Sequence, residues 1–229
     1  MKIETLAIIQ ARLGSKRLPK KMKMKILNLS LIDWVIKRVK KSKKITKIVL
    51  ATTTLAEDNF FEKIAKKHKI NIYRGSAKDV LSRFYKASLK YKPKKIVRVC
   101  GDNPFVDPDF LDDLITNFSS KKYDYGFNHQ SKFKIKCVDG FGAEIFNFST
   151  MEKLYFNIKN KLYREHVTLG LLKKKHKYKI QFIKPKKKFL ISNIKYDINT
   201  IEDFTKIKSI VSEKKLKVFS SASEIISVN

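Results

Sequence analysis

The sequence predicts an α/β fold built on a mostly parallel central sheet with a β-rich extension. Strand-like runs such as LAIIQAR and KIVLATT alternate with helix-like segments such as LIDWVIKRVKKS over the first half of the chain, as in βαβ units. After about residue 122, strand-like runs follow one another with one helical interruption, which indicates an antiparallel extension of the sheet. No Gly/Ser/Pro-rich linker is present, so we expect one domain over 1–229, with a substrate and dimerisation lobe at about 123–196.

The elements can be assigned in chain order. Ser30, Asp107 and Thr200 each precede an amphipathic run, and they are predicted helix N-caps because their short side chains accept hydrogen bonds from free backbone N–H groups. Further helices are predicted in AEDNFFEKIAKKH, AKDVLSRFYKASLKY and REHVTLGLLKKK. Further strands are predicted in INIYRG and KIVRVCGD and, in the later lobe, in YDYGFNHQ, KIKCVDGFGAEIFNF, YKIQFIKP and KFLISNIKYDI.

Charge is the most conspicuous feature of the composition, with 52 Lys and Arg against 21 Asp and Glu and a net charge of +31. A strongly basic chain can bind nucleic acid. However, the lysines are spread along the whole chain and no nucleic-acid-binding motif is present, so solvated lysines are the favoured interpretation. The chain has no 18-residue apolar run, no signal-peptide pattern and only two cysteines. We therefore expect a cytoplasmic protein without a membrane span.

The stretch AIIQARLGSKRLPKK runs from the first strand into a loop that contains five cations. Such a loop at the carboxyl end of a strand can bind phosphate through its cations and its backbone N–H groups. Gly14 permits a positive φ and a close approach of the backbone, and Ser15 offers a hydroxyl. The loop matches neither the Walker A nor the GxGxxG pattern. On these residues alone, a solvated basic loop is the alternative.

Six segments, spread in order over nearly the full chain, together carry a family pattern. They are IIQARLGSKRLPKK, YRGSAKDVLSRFYKA, RVCGDNPFVDPDFLDDLI, DGFGAEIFNF, REHVT and YDINTIEDF. This set resembles the cytidylyltransferases that activate sugar acids, and most closely the branch named after a spore-coat polysaccharide biosynthesis protein. KDO and acylneuraminate cytidylyltransferases have a similar first strand and Arg-Leu-Pro-x-Lys loop. The resemblance implies a Rossmann-like nucleotide-diphospho-sugar transferase fold.

The resemblance also implies an activity and a set of site residues. The reaction would transfer CMP from CTP to a sugar acid of the nonulosonic or KDO type and release pyrophosphate, in surface glycoconjugate synthesis by a homodimer. The catalytic residues would be Arg12, Lys21 and Asp102. The nucleotide would be bound by Arg12, Gly14, Ser15, Arg17, Lys21, Thr52, Arg74 and Arg83, and the sugar acid by Glu144, Arg164 and His166.

Two aspartates form the expected metal site. Asp102 and Asp197 each follow a predicted strand, and Mg²⁺ prefers one or two carboxylates together with phosphate oxygens and water. The resemblance matches both residues to the metal-binding pair of the family, so Mg²⁺ is the expected cofactor. The alternative for each is a turn, because Asp102 lies in a GDNP tetrapeptide and Asp197 precedes the last helix.

Alternatives stay open at this point. A nucleic-acid-binding protein would use the net charge directly, and a glycosyltransferase of the same fold would use a preformed nucleotide sugar. Arg83 could form a salt bridge on a helix face, and His166 could be structural. Lys20 stands where the family commonly has Gly. Its side chain could add a phosphate contact or could crowd the loop.

Overall fold

The computed structural model describes residues 3–129, 135–173, 177–191 and 194–226. Its centre is a seven-stranded sheet with the order β5–β4–β1–β6–β8–β7–β9, and a separate hairpin pairs β2 with β3. Within the described residues, four strand pairs of the large sheet are parallel and two are antiparallel. The strands are β1 Thr5–Gln10, β2 Lys25–Ile26, β3 Leu29–Ser30, β4 Lys47–Thr53, β5 Asn71–Gly75, β6 Lys95–Cys100, β7 Tyr125–Phe127, β8 Glu144–Asn147 and β9 Ile180–Phe182.

Helices cover the sheet on both faces. They are α1 Leu31–Val39, α2 Phe60–His68, α3 Val80–Leu89, α4 Pro108–Asn117, α5 Phe148–Asn157, α6 Lys161–Glu165, α7 Leu169–Lys173, α8 Ile201–Glu213 and α9 Ala222–Ile226. The three predicted N-caps are confirmed. Ser30 and Thr200 form capping boxes with Asp33 and Asp203, and Asp107 accepts hydrogen bonds from the first turn of α4. In the described part of the chain, no helix is both long and apolar enough to cross a membrane.

The first strand explains why both faces of the sheet are covered. Ala7 and Ile9 of β1 belong to the apolar cluster that includes α1, α4 and α8, whereas Leu6 and Ile8 belong to the cluster that includes α3 and α5. Successive side chains of a strand point to opposite faces, so a strand buried on both sides is a continuous apolar run. The apolar run of β1 therefore reflects a central strand.

The four parallel strands place their carboxyl ends at one edge of the sheet, which ends in Gln10, Thr53, Gly75 and Cys100. Ligands of open α/β sheets bind outside this edge. The antiparallel strand β8 begins at the same edge, because Glu144 pairs with Arg98 of β6. Residues from both halves of the chain therefore meet there.

The extension is more helical than predicted. It contributes three short strands, β7, β8 and β9, and three helices, α5 to α7. Helix α5 was not predicted, and the helix predicted around REHVT is divided into α6 and α7; its residues 174–176 lie outside the described part. The described residues of KFLISNIKYDI form a 3-10 turn and a single bridge between Asp139 and Lys195 rather than a strand. Short apolar runs such as these do not distinguish strand from helix by periodicity alone.

Candidate active site

Two adjoining cavities open at the carboxyl edge of the sheet. The first, the loop cavity, has a volume of about 340 Å³ and lies against the cationic loop after β1. The second, the lobe cavity, has a volume of about 430 Å³ and lies against β6, β8 and the turn between α6 and α7. Gln10, Arg98 and Glu165 line both cavities. The two cavities therefore form one continuous cleft with a shared wall.

The cationic loop is held in shape by buried groups. The N–H of Leu13 donates to Asp58 Oδ1 over 2.8 Å, and Asp58, which is fully buried, also accepts a hydrogen bond from the Thr53 hydroxyl. The carbonyl of Leu13 accepts from the N–H groups of Ser15 and Lys20 at 2.8 and 3.0 Å, which closes the loop. Asp58, which lies in the β4–α2 connection, thus fixes the loop. No sequence pattern around Asp58 indicates this role.

The left-handed residue of the loop is Lys20 and not Gly14. Lys20 has a φ of +56°, a conformation that costs a residue with a Cβ about 1 kcal/mol. Gly14 would permit a positive φ, but it is not among the positive-φ residues of the described chain. A Cβ at Gly14 would lie 2.9 Å from Glu57 Oε1, so this glycine provides room for a close neighbour. Lys20 keeps the conformation that a glycine would adopt there. Lys20 is exposed and is not among the described residues that line the cleft.

Predicted phosphate ligands line the loop cavity. Arg12 is half-buried and donates to the carbonyl of Ala77 over 3.2 Å, whereas Arg17 is exposed and donates to Asn199 Oδ1 over 2.6 Å. Ser15 lines the same wall. The described lining residues include more cations than carboxylates, with Arg12, Lys16, Arg17, Lys21 and Arg98 against Asp102 and Glu165. This excess of positive charge suits an anionic ligand.

The two predicted metal ligands are joined by the backbone and by a lysine. The carbonyl of Asp102 accepts from the N–H of Ile198 over 2.9 Å, which holds the Asp197 segment beside the end of β6. The buried Lys21 spans the same two segments, because its Nζ lies 2.9 Å from Asp102 Oδ2 and 2.6 Å from the Ile198 carbonyl oxygen. Burial, together with the negative charges of Asp139 and Asp102, raises the pKa of Asp197. The carboxylates therefore lie near enough to repel one another.

This arrangement fits a magnesium ion that arrives with phosphate. The donors are hard carboxylate oxygens, and the Asp102 side chain is 28% exposed and accessible from the cleft. Among the described residues, no group of three or more His, Cys, Asp or Glu side chains could hold a metal by itself. Mg²⁺ is commonly bound by one or two carboxylates plus substrate phosphates and water. Asp102 lines the loop cavity, whereas Asp197 is not among the described residues that line either cavity.

A buried ion pair forms the floor of the lobe cavity. Arg98 of β6 pairs with Glu144 of β8, and Glu144 also accepts from the Tyr125 hydroxyl over 2.9 Å. Burial by itself would raise the pKa of Glu144, but the charge and hydrogen bond of Arg98 outweigh it, and the pKa lies below its ordinary value. Arg98 was not predicted as a site residue. The available signal was its position four residues before Asp102, at the start of the RVCGD segment.

The rest of the lobe cavity is assembled from distant segments. His129, just after β7, approaches Asp139 with an Nδ1–Oδ1 distance of 3.3 Å. The turn between α6 and α7 closes one side with His166, and Lys195 closes another. The predicted substrate residues Glu144 and His166 therefore both line this cavity, whereas His129 and Asp139 were not predicted as site residues.

Of the residues predicted to bind the nucleotide, Gly14, Thr52, Arg74 and Arg83 are not among the described residues that line the cleft. Arg74 donates to the carbonyls of Thr53 and Leu55 at 3.0 and 2.9 Å, and pairs with Glu62 at 2.5 Å. Thr52 is fully buried in β4. Arg74 thus holds the β4–α2 connection, because three of the five N–H groups of its guanidinium are donated to nearby oxygens. Its role in binding the nucleotide stays a prediction.

Two further arginines are placed differently from the prediction. Arg83 is 1% exposed and donates to the carbonyl of Ser76 over 2.6 Å. Arg164 donates to Asp79 Oδ2 over 2.8 Å and to the carbonyl of Tyr155 over 2.9 Å, which ties α6 to α3 and α5. Neither residue is among the described residues that line the cleft. Arg83 packs under the surface, and Arg164 joins helices.

Comparison with known proteins agrees with this geometry. A family model described as cytidylyltransferase matches residues 6–225. The spore coat polysaccharide biosynthesis protein SpsF of Bacillus subtilis is 33% identical over 230 residues, which cover 98% of this chain and 93% of that protein. The 3-deoxy-manno-octulosonate cytidylyltransferase of Brucella ovis is 35% identical over 113 residues, or 48% of this chain and 44% of that protein.

A solved structure extends the likeness to three dimensions. The structure of a cytidylyltransferase from Leptospira borgpetersenii has a TM-score of 0.87 and 30% sequence identity, covering 100% of this chain and 93% of that one. The chain therefore belongs to the cytidylyltransferase family and is a nucleotidyltransferase.

Proposed function

We propose that this cytidylyltransferase transfers CMP from CTP to a sugar acid and releases pyrophosphate. The observation that carries the proposal is the continuous cleft, in which a cation-rich loop cavity shares a wall with a cavity lined by paired acid and base groups. The first suits a nucleoside triphosphate, and the second suits a neighbouring molecule with hydroxyl groups. The names of the relatives, for spore coat polysaccharide biosynthesis and for 3-deoxy-manno-octulosonate, support a sugar acid and a role in glycoconjugate synthesis.

Each residue of the loop cavity has a part in this proposal. Arg12, Arg17 and Lys21 hold the triphosphate, and their fixed positive charges stabilise the negative charge that develops as pyrophosphate leaves. Ser15 adds a hydroxyl donor. Asp102 and Asp197 would hold Mg²⁺, which would offset the negative charge of the phosphates.

The lobe cavity receives the sugar acid in this proposal. Arg98 and Lys195 supply the positive charges for its carboxylate, and His166 offers a further polar contact. Glu144 keeps Arg98 in place from below. The nucleophilic hydroxyl of the acid then lies at the shared wall, facing the α-phosphate in the loop cavity.

The test is the release of pyrophosphate from each of the four nucleoside triphosphates with a panel of 2-keto sugar acids. We expect release with CTP and at least one acid, and formation of the CMP-sugar by mass spectrometry. The control is the methyl glycoside of the same acid, which keeps the carboxylate but blocks the anomeric hydroxyl and should give no release. Turnover with another nucleotide, or only with a polyol phosphate, would contradict the proposal.

A further inference from the structure

Transfer of a phosphoryl group to a hydroxyl requires that the hydroxyl loses its proton. The following inference rests on the proposed function and names the group that takes that proton. Glu144 is unsuited, because it is engaged by Arg98 and by the Tyr125 hydroxyl and its pKa is lowered. Lys195 is also unsuited, because it is exposed and its ammonium group is a cation with no lone pair to accept a proton. The other titratable lining residues of the lobe cavity are Tyr125, His129, Asp139, Glu165 and His166, and among these the histidines have the ordinary pKa closest to neutral pH, as suits a general base.

His129 is held by a carboxylate, as a general base should be. Its Nδ1 lies 3.3 Å from Asp139 Oδ1, and its side chain is 19% exposed. Asp139 is itself fixed. Its Oδ1 also accepts a hydrogen bond from the N–H of Gly140 over 2.9 Å. Its backbone N–H donates to the carbonyl of Ile194, and its carbonyl accepts from the N–H of Tyr196. A carboxylate that accepts from Nδ1–H keeps the proton on that nitrogen and leaves Nε2 as the acceptor.

We propose that His129 is the general base of the transfer and that Asp139 is its positioning residue. The Nε2 lone pair takes the proton of the acceptor hydroxyl as the oxygen forms a bond to the α-phosphorus. The bond from that phosphorus to the bridging oxygen of the β-phosphate breaks, and its electron pair leaves with pyrophosphate. The proton then resides on the imidazolium and is released to solvent, so that CTP and the alcohol give the CMP ester, pyrophosphate and one proton.

The charges around His129 support this role. Burial would lower the pKa of His129, but the hydrogen bond that its ring donates to Asp139 and the negative charge of Glu144 outweigh burial, and the pKa lies above its ordinary value of 6.5. Only the neutral imidazole can accept the proton of the hydroxyl, so the rate should rise with pH as His129 loses its proton. The charged and titratable groups that face the cavity alongside it are Asp139, Glu144, Arg98, Tyr125, Glu165, His166 and Lys195.

The first experiment compares pH–rate profiles of the wild type with those of His129→Gln, Asp139→Asn and His166→Gln. General-base catalysis contributes about 10²- to 10⁴-fold, so His129→Gln should lower kcat by that factor and lose the acidic limb of the profile. Asp139→Asn should shift that limb to lower pH, because the imidazole loses its negative partner. His166→Gln, the matched histidine of the same cavity, should raise KM for the acceptor and keep the limb. CTP binding, measured by calorimetry, should be similar in all four proteins.

The outcomes separate this inference from the proposed function. If the wild type releases no pyrophosphate with any nucleotide and acceptor pair, the function and the base assignment are both overturned. If the wild type is active and His129→Gln keeps its rate and its acidic limb, only the base assignment is wrong.

A second experiment needs no turnover. Nitrogen-15 NMR of the imidazoles should show His129 protonated on Nδ1 in its neutral form, and Asp139→Asn should abolish that preference. A neutral His129 protonated on Nε2 would overturn the role of Asp139.

Discussion

The loop cavity and the lobe cavity share a wall but are built in opposite ways. Among the described lining residues, the loop cavity has five cations and two carboxylates. The lobe cavity has two cations, Arg98 and Lys195, and three carboxylates, Asp139, Glu144 and Glu165. Most cations of the loop cavity come from one short segment, 12–21, while the lobe cavity draws on β6, β7, β8, the α6–α7 turn and residue 195. The excess of positive charge in the loop cavity is suited to holding a polyanion. The paired charges of the lobe cavity are suited to orienting a substrate and to proton transfer.

Within the loop cavity, the largest effect is expected at Asp102, one of the two carboxylates on its cationic wall. Asp102→Asn should lower kcat by about 10²- to 10³-fold and remove the Mg²⁺ dependence of CTP binding, with Asp197→Asn behaving alike. Asp109→Asn, an exposed carboxylate on α4, is the matched control and should act like the wild type. Calorimetry with and without Mg²⁺ measures the effect. Unchanged Mg²⁺-dependent binding in both variants would place the metal elsewhere.

The next effect is expected at Lys21, the buried cation of the loop cavity. Lys21→Ala removes a charge-assisted phosphate contact worth about 2–4 kcal/mol in the transition state, or about 30- to 1000-fold in rate. It also leaves Asp102 without its ion pair, so the free energy of unfolding should fall. Steady-state kinetics and urea denaturation test both expectations, with the exposed Lys25 changed to Ala as control. A Lys21→Ala protein with the wild-type rate would remove the loop from the nucleotide site.

A smaller and different effect is expected at Glu144 in the lobe cavity. Glu144→Gln should raise KM for the acceptor about tenfold and leave CTP affinity unchanged, because a misplaced Arg98 weakens binding by about 1.4 kcal/mol. The same change should lower the free energy of unfolding at pH 7 by about 2–3 kcal/mol, since Arg98 stays buried without its partner.

The pH dependence follows from the lowered pKa of Glu144. Its ion pair stabilises the fold above the ordinary value of 4.5 and is lost as pH falls through the lower pKa of the folded state. The stability difference between the two proteins should therefore shrink below pH 4.5. A difference that stays constant from pH 7 to pH 3 would contradict this account.

Arg164 tests which arginines belong to the cleft. Its three hydrogen bonds to Asp79, Tyr155 and Ile158 tie helices together, so Arg164→Ala should cost about 1–3 kcal/mol of stability and change kcat/KM less than threefold. Thermal denaturation and initial rates at 25 °C, where the variant remains folded, provide the measurement. A large rise in KM for the acceptor with unchanged stability would instead return Arg164 to the substrate site.

The smallest effect concerns salt. CTP binding to the loop cavity should weaken with ionic strength more steeply than acceptor binding to the lobe cavity. The reason is that salt screens net charge, and the loop cavity has the larger excess of one sign. The log–log slope for CTP should still be far shallower than the slope of about −10 seen for a tight duplex binder. Retention on a defined DNA or RNA with such a steep slope would favour the nucleic-acid alternative.

The same contrast decides what the sequence could predict. The parallel half of the sheet, the N-caps and the position of the cationic loop depend on neighbouring residues, so periodicity and cap chemistry are sufficient for them. The pairing of Arg98 with Glu144, and of His129 with Asp139, depends on the register between β6, β7 and β8. No single-sequence pattern encodes that register.

The arginines that are not among the described lining residues of the cleft illustrate the same dependence on tertiary structure. Arg74 and Arg164 lie in segments that match the family, but their donors are taken up by carbonyls of adjacent turns, whose positions are known only after the chain has folded. The same reasoning explains Asp58, which acts on Leu13 from a connection 45 residues away. A residue type indicates which bonds are possible, and the tertiary structure determines which are made.

The wall shared by the two cavities has a kinetic consequence. Because Gln10, Arg98 and Glu165 border both cavities, a nucleotide sugar would occupy the two at once, with its cytidylyl half on one side of the wall and its sugar on the other. Such a product should exclude each substrate and inhibit competitively against both CTP and the acceptor. Pyrophosphate, which needs only the cationic side, should compete with CTP alone. As the CMP-sugar accumulates, release of this larger product would then limit the turnover rate.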